Sequence, residues 1–411
     1  MLRRHIQFIL LEALTFMPVV LLRGARQTGK TTLVKRLCAD FPDYQYITFD
    51  HLPTLMAAKE DPVNFISRQQ KPVILDEVQR VPELFLPLKR DVDENRQPGQ
   101  YLLTGSADPL LLPKLGDSLA GRMRLLNLWP CSQGEILGRQ ETLLDTLFGK
   151  GPLPLREDPS CSKEALLTRV VRGGYPGVLP LEIEHQRHAW FNDYVTLVLQ
   201  KDVLDLSRIE NVTQLPHLLA LLAMRIGGLL NKEELARTAK LQAMTLHRYL
   251  NLLRTLFMVF FLPAWSGHLS KRLVKSPKTY LPDTALALFL LNVDQDRLRQ
   301  EPHLFGNLLE NFVVLELLKQ TSWSTKSIQM YHYRDYQNSE IDLILEGPGG
   351  DLVAIEIKSS ETLSKDDFKG LKRFQEIVGE RCLHGILLYA GTAALPFGKQ
   401  LTALPISALW S

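Results

Sequence analysis

At 411 residues the chain is too long for one ordinary hydrophobic core and points to two to four domains. Its composition, 45% hydrophobic and 23% charged, is that of a soluble globular protein, and no apolar run approaches the length that spans a bilayer, so no membrane association is expected. The formal net charge of +3 is too small to establish a polyanionic partner, so any nucleic-acid contact has to be argued from local clustering.

Met1-Leu-Arg-Arg-His5 followed by Ile6 to Leu14 has the look of a leader, but Glu12 interrupts the apolar stretch and no small-residue cleavage site follows. A short amphipathic helix packed beside the next elements is expected instead. Pro18 to Leu22 reads as a buried strand. Gly24, Ala25, Arg26, Gln27, Thr28, Gly29, Lys30, Thr31 and Thr32 then form a glycine-bracketed loop feeding a helix that begins near Lys30. Such a loop turns successive backbone N–H groups toward a polyphosphate, with the helix N-terminus behind it. Lys30 would reach the β- and γ-phosphates and the Thr31 hydroxyl a Mg²⁺ ion, so ATP and Mg²⁺ are the expected ligands. A glycine turn before an ordinary helix is the plainer alternative, and the strand–loop–helix order argues against it.

Lys71 to Glu77 is an apolar strand with two carboxylates at its end; Asp76 is assigned to the metal shell and Glu77 to polarising the attacking water. Gln100 to Ser106 is a third strand, ending in hydroxyl residues that could sense the γ-phosphate, Ser106 ahead of Thr104; a strand-to-turn transition would use the same residues. After Ser118-Leu-Ala-Gly121, Arg122 is the candidate arginine finger, in cis or across a subunit interface, with Arg124 in reserve; a surface arginine is the bland alternative. Cys38, Cys131, Cys161 and Cys382 lack metal-ligand spacing and read as thiols in a reducing compartment, hence a cytoplasmic protein.

Loop chemistry between Gly138 and Lys163 closes a first domain at 1–150. Residues 151–214 read as a helical lid broken at Gly173-Gly-Tyr-Pro176-Gly177, where Pro176 could approach a nucleotide base or simply turn the chain. In 215–295 a short helix from Asn231, a turn near Leu241 to Ala243 and a second helix capped by a Thr suit a helix-turn-helix. Val259 to Leu262 and Thr279 to Pro282 would be wing strands around the basic loop Ser266 to Lys278, which could contact DNA phosphates with little sequence preference. His247, Arg248 and Asn251 are the second helix's few base-reading residues, and packing or oligomerisation is an equal use for such a module. In 296–411, Glu310 lies on a helix, Asp342 on one strand, and Glu356 and Lys358 on the next, where residues i and i+2 share a face. Glu310, Asp342 and Glu356 could hold a divalent ion and Lys358 the attacking water or developing phosphate charge. A solvated hairpin accounts for Glu356 and Lys358 alone, though not for their apolar neighbours.

Together these blocks resemble a family of prokaryotic ATPases in which an AAA-type core precedes a winged helix and a C-terminal PD-(D/E)XK nuclease-like domain. The likeness covers nearly the whole chain. It rests on Asp76-Glu-Val-Gln-Arg-Val-Pro82, Leu103-Thr-Gly-Ser106, Leu119-Ala-Gly-Arg122, Gly173-Gly-Tyr-Pro176, Lys271-Arg-Leu-Val-Lys-Ser-Pro277 and Ile355-Glu-Ile-Lys358. The resemblance implies an α/β protein: a P-loop NTPase core with a parallel sheet and flanking helices, a helical lid, a winged helix and a restriction-endonuclease-like α/β domain. It implies ATP binding by Gly24 to Thr32, metal and water roles for Asp76 and Glu77, and contact of the Gly-Gly-x-Pro segment with the nucleotide. The expected function is that of an ATP-hydrolysing, DNA-associated homo-oligomer whose nucleotide state repositions the later domains. The alternatives are an ATP-loaded switch whose terminal domain only binds a protein partner, and an ATP-fuelled nuclease.

Overall fold

The computed structural model describes residues 2–107, 119–149, 153, 162–202, 212–268, 272, 275–335, 337 and 339–410. Ser118, Cys161, Lys271 and most of the expected linker at 150–161 lie outside these residues.

Helix α1 (Ile6–Leu14) leads into β1 (Val19–Arg23), followed by α2 (Lys30–Asp40), β2 (Gln45–Thr48), β3 (Val73–Asp76), β4 (Tyr101–Gly105) and β5 (Met123–Asn127). The five strands are parallel, in the order β2-β3-β4-β1-β5. Strands covered on both faces need no polar alternation, and the three central strands β1, β3 and β4 are buried, largely apolar runs, while the edge strands β2 and β5 are partly exposed. Val19, Leu21, Val73, Leu75 and Leu103 pack into one layer, while Val20, Leu22, Ile74 and Leu102 meet Ile6, Leu10, Leu33, Val34 and Leu37 of α1 and α2 on the other. The N-terminal stretch is thus a packed helix of the core. Because β4 lies between β3 and β1, the ends of all three strands open on one edge of the sheet. That C-terminal edge is where ligands bind in sheets of this kind.

Helices α3 (Lys163–Arg172) and α4 (Glu184–Leu197) flank the Gly-Gly-Tyr-Pro turn. Next come α5 (Leu215–Ala223), α6 (Lys232–Thr238) and α7 (Ala243–Thr255), then the antiparallel pair β6 (Phe260–Leu262) and β7 (Lys278–Tyr280). Helix α7 starts two residues before Thr245, after Gln242 and without a side-chain cap, so the expected Thr cap is not used. The chain thus runs here as two helices joined by a turn, followed by a two-stranded antiparallel pair.

Helices α8 (Thr284–Leu291) and α9 (Pro302–Thr321) precede a mixed six-stranded sheet of β8 (Gln329–Arg334), β9 (Glu340–Glu346), β10 (Leu352–Lys358), β11 (Cys382–Tyr389), β12 (Leu395–Gly398) and β13 (Leu401–Pro405). Its order is β12-β13-β11-β10-β9-β8. Helix α10 (Lys369–Val378) crosses between the parallel strands β10 and β11 and buries Leu371 and Phe374 on the sheet. One hydrophobic core runs from Leu143 through the helices of the middle region to Trp410, so the middle and C-terminal segments fold against each other. Among the described residues no helix is long and apolar enough to cross a membrane.

Candidate functional site

The loop between β1 and α2 begins at Gly24, where a Cβ would lie 2.1 Å from the Leu128 carbonyl oxygen, so no side chain fits. The Thr28 hydroxyl donates to the Ala25 carbonyl (3.0 Å), and the buried Lys30 ammonium donates to the carbonyls of Gly24 (2.9 Å) and Ala25 (2.8 Å). Lys30 therefore arches back over the loop, and the first turn of α2, whose N–H groups have no intrahelical acceptors, stands behind it. From the other side Arg4 donates to the Thr28 carbonyl (2.6 Å), the Trp129 carbonyl (2.6 Å) and Glu135 (3.0 Å). Burial opposes the Arg4 charge, but Glu135 and Cys131 together more than offset it and the guanidinium pKa is raised. This clamp was missed: in sequence, Arg4 is one more charge in a basic leader-like cluster.

Asp76, 1% exposed, accepts hydrogen bonds from the hydroxyls of Thr31 (3.1 and 3.2 Å), Tyr46 (2.7 Å) and Thr104. Burial, and then the bond to Asp76, raise the Tyr46 pKa and keep its proton on the phenol. The adjacent Glu77 sits in the left-handed region (φ 64°, ψ 45°), uncommon for a side chain of this kind and a mark of local strain at many functional sites. Its N–H donates to the Thr104 hydroxyl (3.0 Å), and its carboxylate accepts from the Gln79 amide and the Ser106 hydroxyl (3.1 Å). Gln79 also donates to Ser106 (2.7 Å). Thr104 thus serves Asp76, while Ser106 and Gln79 hold Glu77. Gln79 stands in the sequence only within the Asp76–Pro82 stretch, with no role read for it, and Tyr46 carries no signal beyond its place on β2.

Two expected residues lie elsewhere. The β1–β5 register pairs Val19 with Met123, and Arg122 precedes β5, so it sits at the opposite edge of the sheet from the loop. Five residues of strand at about 3.3 Å each separate the two ends. Arg122 pairs there with Asp93, so within one chain it does not face the phosphate loop. Arg124, two residues on in β5, is exposed. The Gly173–Gly177 turn packs through its backbone on the segment after β5: Cys131 N–H donates to the Gly174 carbonyl (2.7 Å), and a Cβ on Gly174 would lie 2.3 Å from the Cys131 oxygen. Pro176 follows Tyr175, whose hydroxyl meets that of Tyr194 (3.0 Å), and Tyr194 in turn donates to the Arg26 carbonyl (3.4 Å). The turn therefore reaches the phosphate loop through two tyrosines.

Of the basic loop expected to meet DNA, the described cations Arg272, Lys275 and Lys278 meet partners of the C-terminal region. Arg272 pairs with Glu346 and lies over the rings of Trp265 and Tyr331, while Lys275 donates to the Arg334 carbonyl (3.1 Å). Lys278 is buried against Glu310, Glu340 and Asp342. His247, Arg248 and Asn251 do lie on an exposed face of α7. In the C-terminal cluster Lys358 donates to Glu356 (2.9 Å) on their shared strand face, and the Ile357 N–H donates to Asp342 (3.0 Å). Glu310 comes up from α9 and accepts from Tyr280 (2.6 Å). Burial first, and then the Asp342 charge, push the Glu310 and Glu356 carboxyls well above the usual range. Among the described residues no group of three or more His, Cys, Asp or Glu is arranged to hold a metal ion. The expected Glu310–Asp342–Glu356 metal shell is therefore not assembled: a lysine stands among its members.

His332 of β8 closes this region, its Nε2–H donating to the Ser276 carbonyl (3.1 Å). Burial lowers its pKa to about 4 from 6.5, so the unfolded chain takes up the proton first. The stabilisation is complete above pH 6.5 and is lost as pH falls toward 4, by on the order of 3 kcal/mol at most. Denaturant midpoints between pH 4 and 7 should show that slope in the wild type and a shallower one in His332→Gln, which keeps a donor toward Ser276. Parallel slopes would show that His332 does not titrate as its burial requires.

Residues 17–137 match the family described as AAA domain, and 163–297 and 305–409 match two domains of unknown function, DUF8612 and DUF4143. Uncharacterized proteins of Mycobacterium tuberculosis and Mycobacterium bovis are each 30% identical over 406 residues, covering 98% of this chain and 83% of the relative. Among solved structures, the Walker-type ATPase of Pyrococcus abyssi is similar at a TM-score of 0.39 and 15% identity, over 70% of this chain and 95% of that one.

Proposed function

Because this chain belongs to the family of those mycobacterial proteins and opens on an AAA domain, we propose that it binds and hydrolyses ATP at Gly24 to Thr32. The observation that carries the reading is the meeting of Thr31, in the first turn of α2, with Asp76 at the end of β3, with Glu77 next in the chain. A hydroxyl and a carboxylate in contact suit Mg²⁺, which takes one or two protein ligands and fills its octahedron with phosphate oxygens and water. Thr31 and Asp76 would hold it, and when bound it would neutralise charge on the phosphates. Glu77, fixed by Gln79 and Ser106, would orient and polarise the attacking water. Lys30 would leave the loop carbonyls for the phosphates, and Pro176, with Tyr175 and Tyr194, would lie beside the nucleotide.

In the finer reading, the protein works in the cytoplasm as a homo-oligomer. Arg122, turned away from its own loop, would then serve a neighbouring subunit's ATP. Residues 215–295 act as a winged helix that meets DNA through the α7 face with His247, Arg248 and Asn251, weakly selective for sequence. Residues 296–411 are a nuclease-like domain steered by nucleotide state. A route for that steering exists in α9: Lys319 donates to the Cys131 carbonyl (3.0 Å), Glu316 accepts from the Gln133 N–H (2.8 Å), and Glu310 lies further along the same helix.

The burial of Lys278 in the acidic cluster favours a second reading, an ATP-loaded switch whose terminal domain binds a protein partner without catalysis. ATP turnover and DNA binding measured together over a salt series separate the two. DNA binding that weakens with salt and alters turnover supports the first. Turnover indifferent to DNA, with Glu356→Ala and Lys358→Ala behaving as wild type, supports the second.

A further inference from the structure

We infer that Lys278 is the resident cation of the C-terminal acidic cluster, standing where a nuclease of this type would hold a divalent metal, and that the cluster takes up such an ion only when Lys278 leaves it. Lysine offers three N–H donors. All three are met, by Glu340 (2.7 Å), Glu310 (2.9 Å) and Asp342 (3.2 Å), and the side chain is 2% exposed. The inward oxygens are capped from elsewhere too: Tyr280 donates to the same Glu310 oxygen as Lys278, and Ile357 N–H holds the second oxygen of Asp342. A divalent ion needs several oxygen lone pairs converging within about 2.0–2.6 Å, and these oxygens are turned to donors instead. It would also have to sit beside a buried ammonium, where like-charge repulsion is poorly screened.

The lysine is not a member of the C-terminal sheet. It begins β7, pinned by bridges from Ile226 to Thr279 and from Leu229 to Lys278 in the middle region. Just beyond it the Asn311 side chain grips both backbone groups of Leu281 (2.9 and 3.1 Å). The middle region therefore inserts its own positive charge into the cluster of the next domain. Among the described residues Glu356 Oε2, on the strand that pairs with that of Asp342, is buried without a hydrogen-bond partner.

The test is Mn²⁺ binding by electron paramagnetic resonance on the nucleotide-free full chain, comparing wild type, Lys278→Ala, Lys278→Gln, Lys278→Arg and Asp342→Asn. Wild type and Lys278→Arg should show no Mn²⁺ binding that depends on Asp342. The two neutral variants should bind one Mn²⁺ at least about tenfold more tightly than wild type. Adding Asp342→Asn to either should remove that binding. A wild-type Mn²⁺ site abolished by Asp342→Asn would overturn the inference, and so would neutral variants as blind to Mn²⁺ as wild type. Should neither neutral variant fold, the wild-type and Asp342→Asn comparison alone decides. Nucleotide is absent throughout, so the result is independent of the ATP reading.

Discussion

Glu77→Gln should lower ATP turnover by about two to four orders of magnitude, the usual worth of a general base, while leaving ATP binding nearly unchanged. Glutamine has the size of glutamate and can keep a contact with Ser106, so the loop, Lys30 and Asp76 stay as they are. What is lost is the carboxylate that would draw a proton from water. Single-turnover hydrolysis beside equilibrium nucleotide binding reads the two effects separately. Loss of binding along with turnover would mean that Glu77 shapes the fold of the site; unchanged turnover would remove it from the chemistry. Ser106→Ala, which frees one side of the Glu77 carboxylate, should have a smaller effect of the same kind.

Arg4→Ala should be the most destabilising single change near the loop. It leaves Glu135, itself buried, without its guanidinium, and strips donors from the carbonyls of Thr28 and Trp129. Breaking a buried pair from one side typically costs about 3–5 kcal/mol. Lysine should recover little of it, because a single ammonium cannot reproduce the planar fork that meets three acceptors at once. Denaturant unfolding gives the cost directly, and weakened ATP binding should accompany it, since Arg4 braces the loop that would hold the phosphates. A loss below about 1 kcal/mol, as for an exposed pair, would contradict this account of the clamp.

The parts of the site visible in the sequence are those in which local pattern decides geometry. The order apolar strand, glycine loop, helix leaves the chain between Leu22 and Leu33 few other conformations, and an apolar run ending in Asp76-Glu77 places both acids at a strand terminus. Alternation along β10 likewise put Glu356 and Lys358 on one face. What was hidden depends on residues distant in the chain. Arg4 needs Glu135, Tyr194 needs Arg26, and Lys278 needs Glu310, Glu340 and Asp342. Arg122 does not face its own phosphate loop, because parallel pairing carries the start of β5 to the far end of the sheet, and of the two placements read for it the one across a subunit interface stays open. Two cations of the basic loop found partners for a related reason. Clustered charge in a sequence marks a field seeking a partner, and the partner of Arg272 and Lys278 is this chain's own set of carboxylates.

That Gly24 to Thr32 holds ATP is the claim on which the rest depends, and equilibrium binding of ATP with Mg²⁺ to the full chain, wild type against Lys30→Ala, tests it most directly. The wild type should bind one nucleotide per chain, and Lys30→Ala should bind at least about tenfold more weakly, the worth of one charge-assisted contact to phosphate. Equal affinity in the two proteins, or no binding by the wild type, would contradict it.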